Sequence, residues 1–130
     1  MDKIWDIISP YFSKEENWGT PDAMSGLILI PLFCIRGELG WPFIVHCGTQ
    51  GKHAQHSYHY KGLAVDGHFV TNIGVEEQYR KLETVLYNLQ LSDYMGIGYY
   101  KDWRHPGFHI DARGKRVRWW HDKDGYHYFK

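Results

Sequence analysis

The most regular pattern of apolar and polar positions lies between residues 75 and 89. Five apolar residues recur there at steps of four, three, four and three positions, namely Val75, Tyr79, Leu82, Leu86 and Leu89. This spacing places them on one face of an α-helix. On the other face Glu76 precedes Arg80 by four positions, an order that stabilises an exposed helix surface. The pattern predicts an amphipathic helix capped by Asn72.

Two further helices are predicted nearer the N-terminus. Apolar residues recur at three- and four-residue steps over residues 4–12, which indicates a short amphipathic helix. A second helix is expected to begin with Thr20 as its N-cap and Pro21 in its first turn. Pro31 should kink or divide this helix, and Gly40 should end it.

The remaining apolar segments predict β-strands. A turn at Gly62 leads into a short strand over residues 63–65. Further strands are predicted over residues 41–47, 94–100, 107–113 and 116–121, and the last continues through a turn into a terminal hairpin. The strands over residues 94–100 and 107–113 are expected to pair antiparallel. Together the segments predict one α+β domain over residues 1–130, with helices packed on one side of an antiparallel sheet.

Residues suited to bind a metal stand close to two of these strands. His59 and Asp66 are seven positions apart with Gly62 between them, so a loop that turns into a strand would direct both side chains to one point. In Phe108-His109-Ile110-Asp111 the polar residues share one face of a strand, which offers a third ligand. Two histidines and a carboxylate suit Zn²⁺ with an open position for water, whose pKa then falls toward neutrality. The alternative is that these histidines only cap loops or form hydrogen bonds within a core.

The same residues resemble a known family. Ser57-x-His59-x-x-Gly62-x-Ala64-x-Asp66, followed after a helix-length interval by Phe108-His109-Ile110-Asp111-Ala112-Arg113, is similar to the zinc D-alanyl-D-alanine carboxypeptidase family of peptidoglycan metallopeptidases. The similarity does not extend beyond Gly114. It implies a hedgehog/carboxypeptidase-like fold, Zn²⁺ as the cofactor and hydrolysis of an amide bond in peptidoglycan stem peptides, by a carboxypeptidase or an endopeptidase.

Two positions depart from the pattern of that family. Where the family carries an arginine that polarises the substrate carbonyl, this chain has Gln50, which is the candidate oxyanion donor but has no charge. Better known members place an acidic residue three positions before the last ligand, where this chain has Pro106. His105 is then the candidate base. Asp111 suits either a base or a hydrogen-bond partner that determines the tautomer of a ligand histidine.

Three further residues are candidates for substrate binding. Arg104 and Arg113 could each grip a substrate carboxylate through two hydrogen bonds, and surface salt bridges are the alternative. Ser57 could orient the substrate, or else accept a hydrogen bond from the nearby backbone. Three other histidines stand near the ligands in the sequence, and only one of them need line a cleft: His53, His56 and His68.

Composition narrows the classes of function. With 43% hydrophobic and 17% aromatic residues, the 130-residue chain is large enough to bury one core without disulfides. A formal net charge of +0 provides no basic field that would attract nucleic acid. Cys34 and Cys47 lie in apolar surroundings without a CxxC spacing, so buried free thiols are expected, with a disulfide as the alternative.

The N-terminal sequence lacks the features of an export signal, and no apolar run is long enough to span a membrane. We therefore expect a monomer that is made as a soluble cytoplasmic protein without membrane insertion. It would reach cell-wall peptides only after release, as endolysin-like proteins of bacteriophages do. The rival hypothesis is a non-catalytic zinc-bearing structural or wall-binding module with the same fold, and a metal-free interaction domain is a further one.

Overall fold

Six strands and three α-helices make up the regular structure of the described residues. The structure is a computed structural model that describes residues 3–51, 53 and 57–129. Its elements are α1 (Lys3–Ile8), a 3-10 turn (Pro21–Ala23), α2 (Gly26–Leu39), β1 (Phe43–Cys47), β2 (Ala64–Phe69), α3 (Val75–Asn88), a 3-10 turn (Ser92–Tyr94), β3 (Gly96–Tyr100), β4 (Gly107–Asp111), β5 (Val117–Asp122) and β6 (Gly125–Phe129). The predicted α+β class is confirmed.

The strands form one sheet in the order β1-β2-β4-β3-β5-β6. Neighbouring strands are antiparallel except β3 and β5, which run parallel, so the prediction of a purely antiparallel sheet is wrong at this pair. β4 already has β2 and β3 on its two edges, so the next strand can join only a free edge of the sheet. Because the chain reverses direction after β4, and β4 is antiparallel to β3, β5 joins the free edge of β3 in the parallel sense.

Side chains alternate between the two faces of the sheet, and the faces differ in character. On one face, apolar residues of the strands and of the helices form a single buried cluster. Its members include Val45, Val65, Phe69, Ile97, Phe108 and Ile110 from the strands and Ile28, Leu32, Leu82 and Leu86 from the helices. The intervening residues of β2 and β4 include Asp66, His68, His109 and Asp111. We call the face that carries these four residues the polar face of the sheet.

α2 begins later than the sequence predicts and is not divided by proline. Thr20 makes no side-chain cap bond, whereas the hydroxyl of Ser25 accepts a hydrogen bond from Leu27 N at 3.1 Å and caps α2. Pro31 lies inside α2, contrary to the expectation that it would divide the helix. The buried stripe continues on both sides of Pro31, through Ile28, Leu29, Leu32 and Ile35. This packing offsets the one backbone hydrogen bond that proline lacks.

The elements with local sequence signals agree most closely with the predictions. α3 spans Val75–Asn88, although its N-cap is Gly74 rather than Asn72. The pattern over residues 4–12 is interrupted where Pro10 was expected to disturb it: α1 ends at Ile8, because Pro10 has no backbone N–H to continue the helix. The terminal hairpin forms from β5 and β6 as predicted. In the part of the chain that the structure describes, no helix combines the length and apolar character needed to cross a bilayer.

The loop that carries His59 is held against the start of α2. Ser25 N donates a hydrogen bond to Gly62 O at 2.8 Å. Gly62 has a φ of +69°, and a Cβ atom there would lie 1.9 Å from Ala23 O. Both the left-handed backbone and the close approach exclude a side chain at this position. Gly62 therefore determines how the His59 loop meets β2.

Candidate metal centre

The three predicted metal ligands converge on the polar face of the sheet. One ligand atom from each of His59, Asp66 and His109 lies within 4.8 Å of the other two. Asp66 Oδ1 is 3.3 Å from His59 Nε2 and 3.0 Å from His109 Nδ1. Donors about 2 Å from a shared tetrahedral Zn²⁺ stand about 3.3 Å from one another, so these separations fit a common ion. The described residues can therefore hold a metal ion.

Each histidine has one ring nitrogen engaged elsewhere, which determines the nitrogen that faces the site. His59 Nδ1 donates a hydrogen bond to Gly48 O at 2.8 Å, so its Nε2 is available. His109 Nε2 donates to Asp111 Oδ2 at 2.6 Å, so its Nδ1 is available. Such outer hydrogen bonds orient the ring and raise the basicity of the nitrogen that binds metal. The two rings are thus oriented for one centre without any change of tautomer.

Asp111 is a buried acceptor whose oxygens are fully engaged. Its side chain is 0% exposed. Besides the bond from His109, it accepts bonds from Gly96 N at 3.1 Å and from Arg113 Nε and Nη2 at 2.9 and 2.7 Å. Burial acts to raise the pKa of Asp111, but the hydrogen bonds from His109 and Arg113 outweigh it and lower the pKa to about 2. The geometry gives Asp111 the role of orienting His109 and not that of a base.

The electrostatics of the three ligands favour a cation at the centre. Burial acts to raise the pKa of Asp66, but hydrogen bonds from His109 and His59 outweigh it and hold the pKa well below its usual range. Burial acts to lower the pKa of His109, but Asp111 and Asp66 on its two sides raise it to about 9. In the metal-free protein His109 therefore carries a proton at neutral pH. A metal ion at its Nδ1 would take the place of that proton.

A cleft of about 560 Å³ opens over these ligands. Aromatic side chains form much of its wall: Tyr58, Tyr100, Trp103, Trp119, Tyr126 and Tyr128. Trp119 packs beside His109, with ring centroids 5.2 Å apart, and its Nε1 donates to the Tyr100 hydroxyl at 3.0 Å. Gly98 makes room for this indole, since a Cβ atom there would lie 2.2 Å from it. The cleft thus combines aromatic surface with the polar groups of the candidate ligands and of Arg113.

Arg113 lines the cleft but is held by protein groups. Its guanidinium bonds Asp111 and lies over the rings of Tyr58 and Trp119, at 4.7 and 5.5 Å from their centroids. Ser57 also lines the cleft, and its hydroxyl accepts a hydrogen bond from His59 N at 3.2 Å. Both side chains therefore contact the candidate ligands or their partners. Any contact with a substrate would come in addition to these.

The structure does not direct Gln50 toward the cleft. Its Nε2 donates to Asn17 O at 2.8 Å, and its Oε1 accepts from Gly48 N at 2.8 Å. Gln50 therefore stabilises the turn whose carbonyl, Gly48 O, holds His59. The expectation that Gln50 supplies the oxyanion donor has no support in this geometry. An amide that is satisfied at both ends would have to break these bonds to serve a substrate.

His105 and Arg104 line a neighbouring cavity of about 330 Å³, with Asp66 in its wall. His105 stacks on His68 with ring centroids 4.8 Å apart, and His68 Nδ1 is 2.6 Å from His46 Nε2. Burial is the main reason that the pKa values of His46 and His68 are lowered. The candidate base His105 thus lines a different cavity, which shares Asp66 and Trp103 with the cleft. Sequence reasoning placed it there because only its spacing from His109 was known.

Two further residues lie near the ligands: Cys47, which was not predicted as part of the site, and His53, one of the three histidines of which one was expected to line the cleft. Cys47 Sγ donates to Asp66 Oδ2 at 3.5 Å, and His53 stacks on His59 with ring centroids 3.9 Å apart. Burial and the neighbouring Asp66 raise the pKa of the Cys47 thiol to about 12. Cys34 and Cys47 are free thiols, as expected, but both are partly exposed and not buried. His56 lies outside the described residues.

A bulge in β1 explains why the sequence pattern did not predict that Cys47 lies near the ligands. Val45 is paired with Gly67 but Cys47 with Asp66, so His46 is an extra residue in the ladder. A bulge of this kind turns the following side chain to the other face of the sheet. Cys47 therefore lies beside Asp66, although regular alternation from Val45 would direct it into the core.

Comparison of the chain with protein-family models, with curated proteins and with solved structures finds no match. The function must therefore be inferred from the geometry of the site and from the residues that carry the resemblance.

Proposed function

We propose that this protein is a zinc-dependent peptidase that hydrolyses an amide bond in peptidoglycan stem peptides. The observation that supports the proposal most directly is the convergence of His59, Asp66 and His109 at the base of an aromatic cleft. Two imidazoles and one carboxylate form the three-residue ligand set of catalytic zinc sites, which leaves a position for water or substrate. The wall substrate follows from the motifs over residues 57–113 alone.

Zn²⁺ bound by these residues would polarise the scissile carbonyl and lower the pKa of a water molecule toward neutrality. Other groups of the protein orient the three candidate ligands. Gly48 O and Asp111 hold the two ligand rings, and the pairing of β2 with β4 places Asp66 opposite His109.

His53 is the proton acceptor that this geometry favours. It lines the cleft outside the ligand set and stacks on His59. Its Nε2 is within 2.8 Å of Gln50 O, so that nitrogen carries the proton and Nδ1 is the basic one. In the proposal His53 Nδ1 takes a proton from the attacking water and later donates it to the leaving amine. His105 is less suitable because it lines another cavity. Asp111 is less suitable because its oxygens already accept hydrogen bonds from His109 and Arg113.

Tyr100 is the candidate donor for the developing oxyanion in place of Gln50. It lines the cleft, and burial raises its pKa, so the phenol keeps its proton. Its oxygen accepts the bond from Trp119 Nε1, and its hydroxyl proton, which is shared with Tyr126, would turn from that neighbour to the oxyanion. A neutral phenol stabilises an oxyanion less than a guanidinium does. We therefore expect a slower peptidase than family members that carry arginine.

The test is hydrolysis of purified muropeptides by the zinc-loaded protein. The wild type should release amine, His109→Ala should not, and His53→Gln should retain metal but lose about 10²–10⁴-fold in kcat. His127→Ala is the matched control, since His127 pairs with Asp122 and lies outside the cleft. Cleavage by His109→Ala at the wild-type rate, or by none of the four proteins, overturns the peptidase proposal.

The second candidate function is a non-catalytic zinc-bearing module that binds cell wall. The observation that favours it is that the candidate oxyanion donor Gln50 and the carboxylate of Asp111 are both satisfied by protein groups. Elemental analysis and a pull-down with insoluble peptidoglycan separate the two functions. Metal and wall binding without turnover would support the module. Absence of metal from the wild type would contradict both.

A further inference from the structure

We propose that Cys47, His53 and His59 form a second ligand set for thiophilic metal ions, and that this set competes with Asp66 and His109 for His59. One ligand atom from each of these three residues lies within 4.8 Å of the other two. The two sets therefore share one histidine. The inference does not depend on the peptidase activity, because it concerns metal binding alone.

The three residues are held in place by separate features of the fold. The bulge in β1 turns Cys47 toward the polar face, where it meets Asp66. His53 lies against His59 with a ring spacing of 3.9 Å and an interplanar angle of 11°. The hydroxyl of Tyr60 bonds both the backbone N and O of His53, at 2.8 and 3.1 Å. Contacts elsewhere in the fold thus hold Cys47, His53 and His59 close to one another.

Each member has one donor atom that its other contacts leave available. His59 Nδ1 donates to Gly48 O and His53 Nε2 donates to Gln50 O, so His59 Nε2 and His53 Nδ1 are available. The Cys47 sulfur contacts Asp66 through Oδ2 at the long distance of 3.5 Å and through the Asp66 backbone, and it keeps a lone pair for a metal ion. When a metal–sulfur bond forms, the thiol proton leaves to solvent, and no oxidant or reductant is needed.

The chemistry of the two sets differs. A carboxylate with two imidazoles suits Zn²⁺ and harder ions, whereas a thiolate with two imidazoles favours soft ions such as Cd²⁺. His59 has a single available nitrogen, so one ion cannot use it in the first set while another uses it in the second. A soft ion should therefore displace Zn²⁺ and not add to it. The total should stay at one ion per chain.

The thiolate can be followed without any activity assay. Binding of Co²⁺ or Cd²⁺ to a thiolate gives an ultraviolet charge-transfer band that imidazole and carboxylate ligands do not give. We expect this band when Cd²⁺ is added to the wild type. Cys47→Ala should lose it, and Cys34→Ala, the matched control with the other free thiol, should retain it. His53→Gln should weaken Cd²⁺ binding.

His109→Ala decides whether the second set is distinct. If Cys47 acts with His53 and His59, the band persists in this variant, because His109 is not in the set. If the band disappears there, Cys47 only adds a fourth ligand to the first set, and the proposal is wrong. Absence of the band from the wild type, its loss in Cys34→Ala, or simultaneous retention of Zn²⁺ and Cd²⁺ by the wild type would also overturn it.

The outcome is separable from that of the proposed function. A Cd²⁺ band together with no muropeptide cleavage by the zinc-loaded protein would support the second set and contradict the peptidase. Cleavage without a band would do the reverse. If the second ligand set and the peptidase activity are both present, Cd²⁺ should inhibit the wild type, because the ion takes His59 from the first set and binds His53. Cys47→Ala should be less sensitive to Cd²⁺.

Discussion

Asp111 accepts a hydrogen bond from His109 Nε2 at 2.6 Å, although the two residues are neighbours on one face of the same strand. The bond is possible because β3 contributes Gly96, whose backbone N–H bonds Asp111 and whose lack of a side chain leaves space for the carboxylate. Arg113 completes the partners of that carboxylate. The orientation of one candidate ligand thus depends on a chain of contacts that ends at an arginine outside the ligand set.

Asp111→Asn should weaken zinc binding about 10–100-fold, the usual effect of removing the partner of a metal-binding histidine. The variant keeps the shape of the side chain but loses the charge that favours the His109 orientation. Competition with a chromogenic chelator measures the affinity. Asp122→Asn is the control, because Asp122 also pairs with a histidine, His127, but lies away from the cleft. Equal affinities of Asp111→Asn and wild type would contradict the assigned role.

Zinc binding should release about one proton per chain at pH 7, because the pKa of His109 is raised to about 9 in the metal-free protein. Below that pH the ion must displace the proton from Nδ1, so the apparent affinity should rise about tenfold per pH unit. Above about pH 9 this dependence should disappear. Calorimetry in buffers with different ionisation enthalpies counts the protons. Release that stays constant from pH 7 to 10 would exclude His109 as the source.

Gly98→Ala should weaken the candidate metal centre, although the substitution changes none of its ligands. The new methyl group would lie 2.2 Å from the indole of Trp119, which packs against His109. The forced shift should cost about 1–3 kcal/mol of unfolding free energy and should also reduce the zinc affinity. Urea unfolding and chelator competition measure the two effects. Gly74→Ala is the control, since nothing lies within 4 Å of a Cβ atom there. Similar stability of both variants would contradict this packing role.

Local patterns predicted the convergence of the three candidate ligands and several elements, whereas contacts across the sheet could not be predicted. The spacing of His59, Asp66 and His109 was sufficient because each stands at the edge of a turn or on a strand with clear alternation. The hydrogen bond that holds Gln50 could not be predicted, because its partner, Asn17, is 33 positions away. Cys47 was missed because a bulge interrupts the alternation on which the prediction relied. Neither long-range pairing nor a bulge leaves a signal in the spacing of one segment.

Arg118 shows the same limit in the terminal hairpin. Its segment was predicted as a strand that leads into the terminal hairpin, but that prediction did not include a second neighbour, β3, beside which Arg118 is only 1% exposed. The parallel pairing of β5 with β3 directs it toward α3, where it forms an ion pair with Glu83 and a hydrogen bond with Ser92 O at 2.9 Å. Burial of a charge is tolerated only when such partners compensate for lost hydration.

Arg118→Met should therefore destabilise the protein strongly, although methionine is apolar and of suitable length. Its partners, the Glu83 carboxylate and Ser92 O, would lose the guanidinium, and breaking a buried pair costs about 3–5 kcal/mol. Urea unfolding of the metal-free protein measures the loss. Arg80→Met is the control, because its ion pair with Glu77 is exposed and such pairs contribute about 0–1 kcal/mol. If both variants lose the same amount, the buried ion pair of Arg118 does not contribute more to stability than an exposed one, which contradicts this prediction.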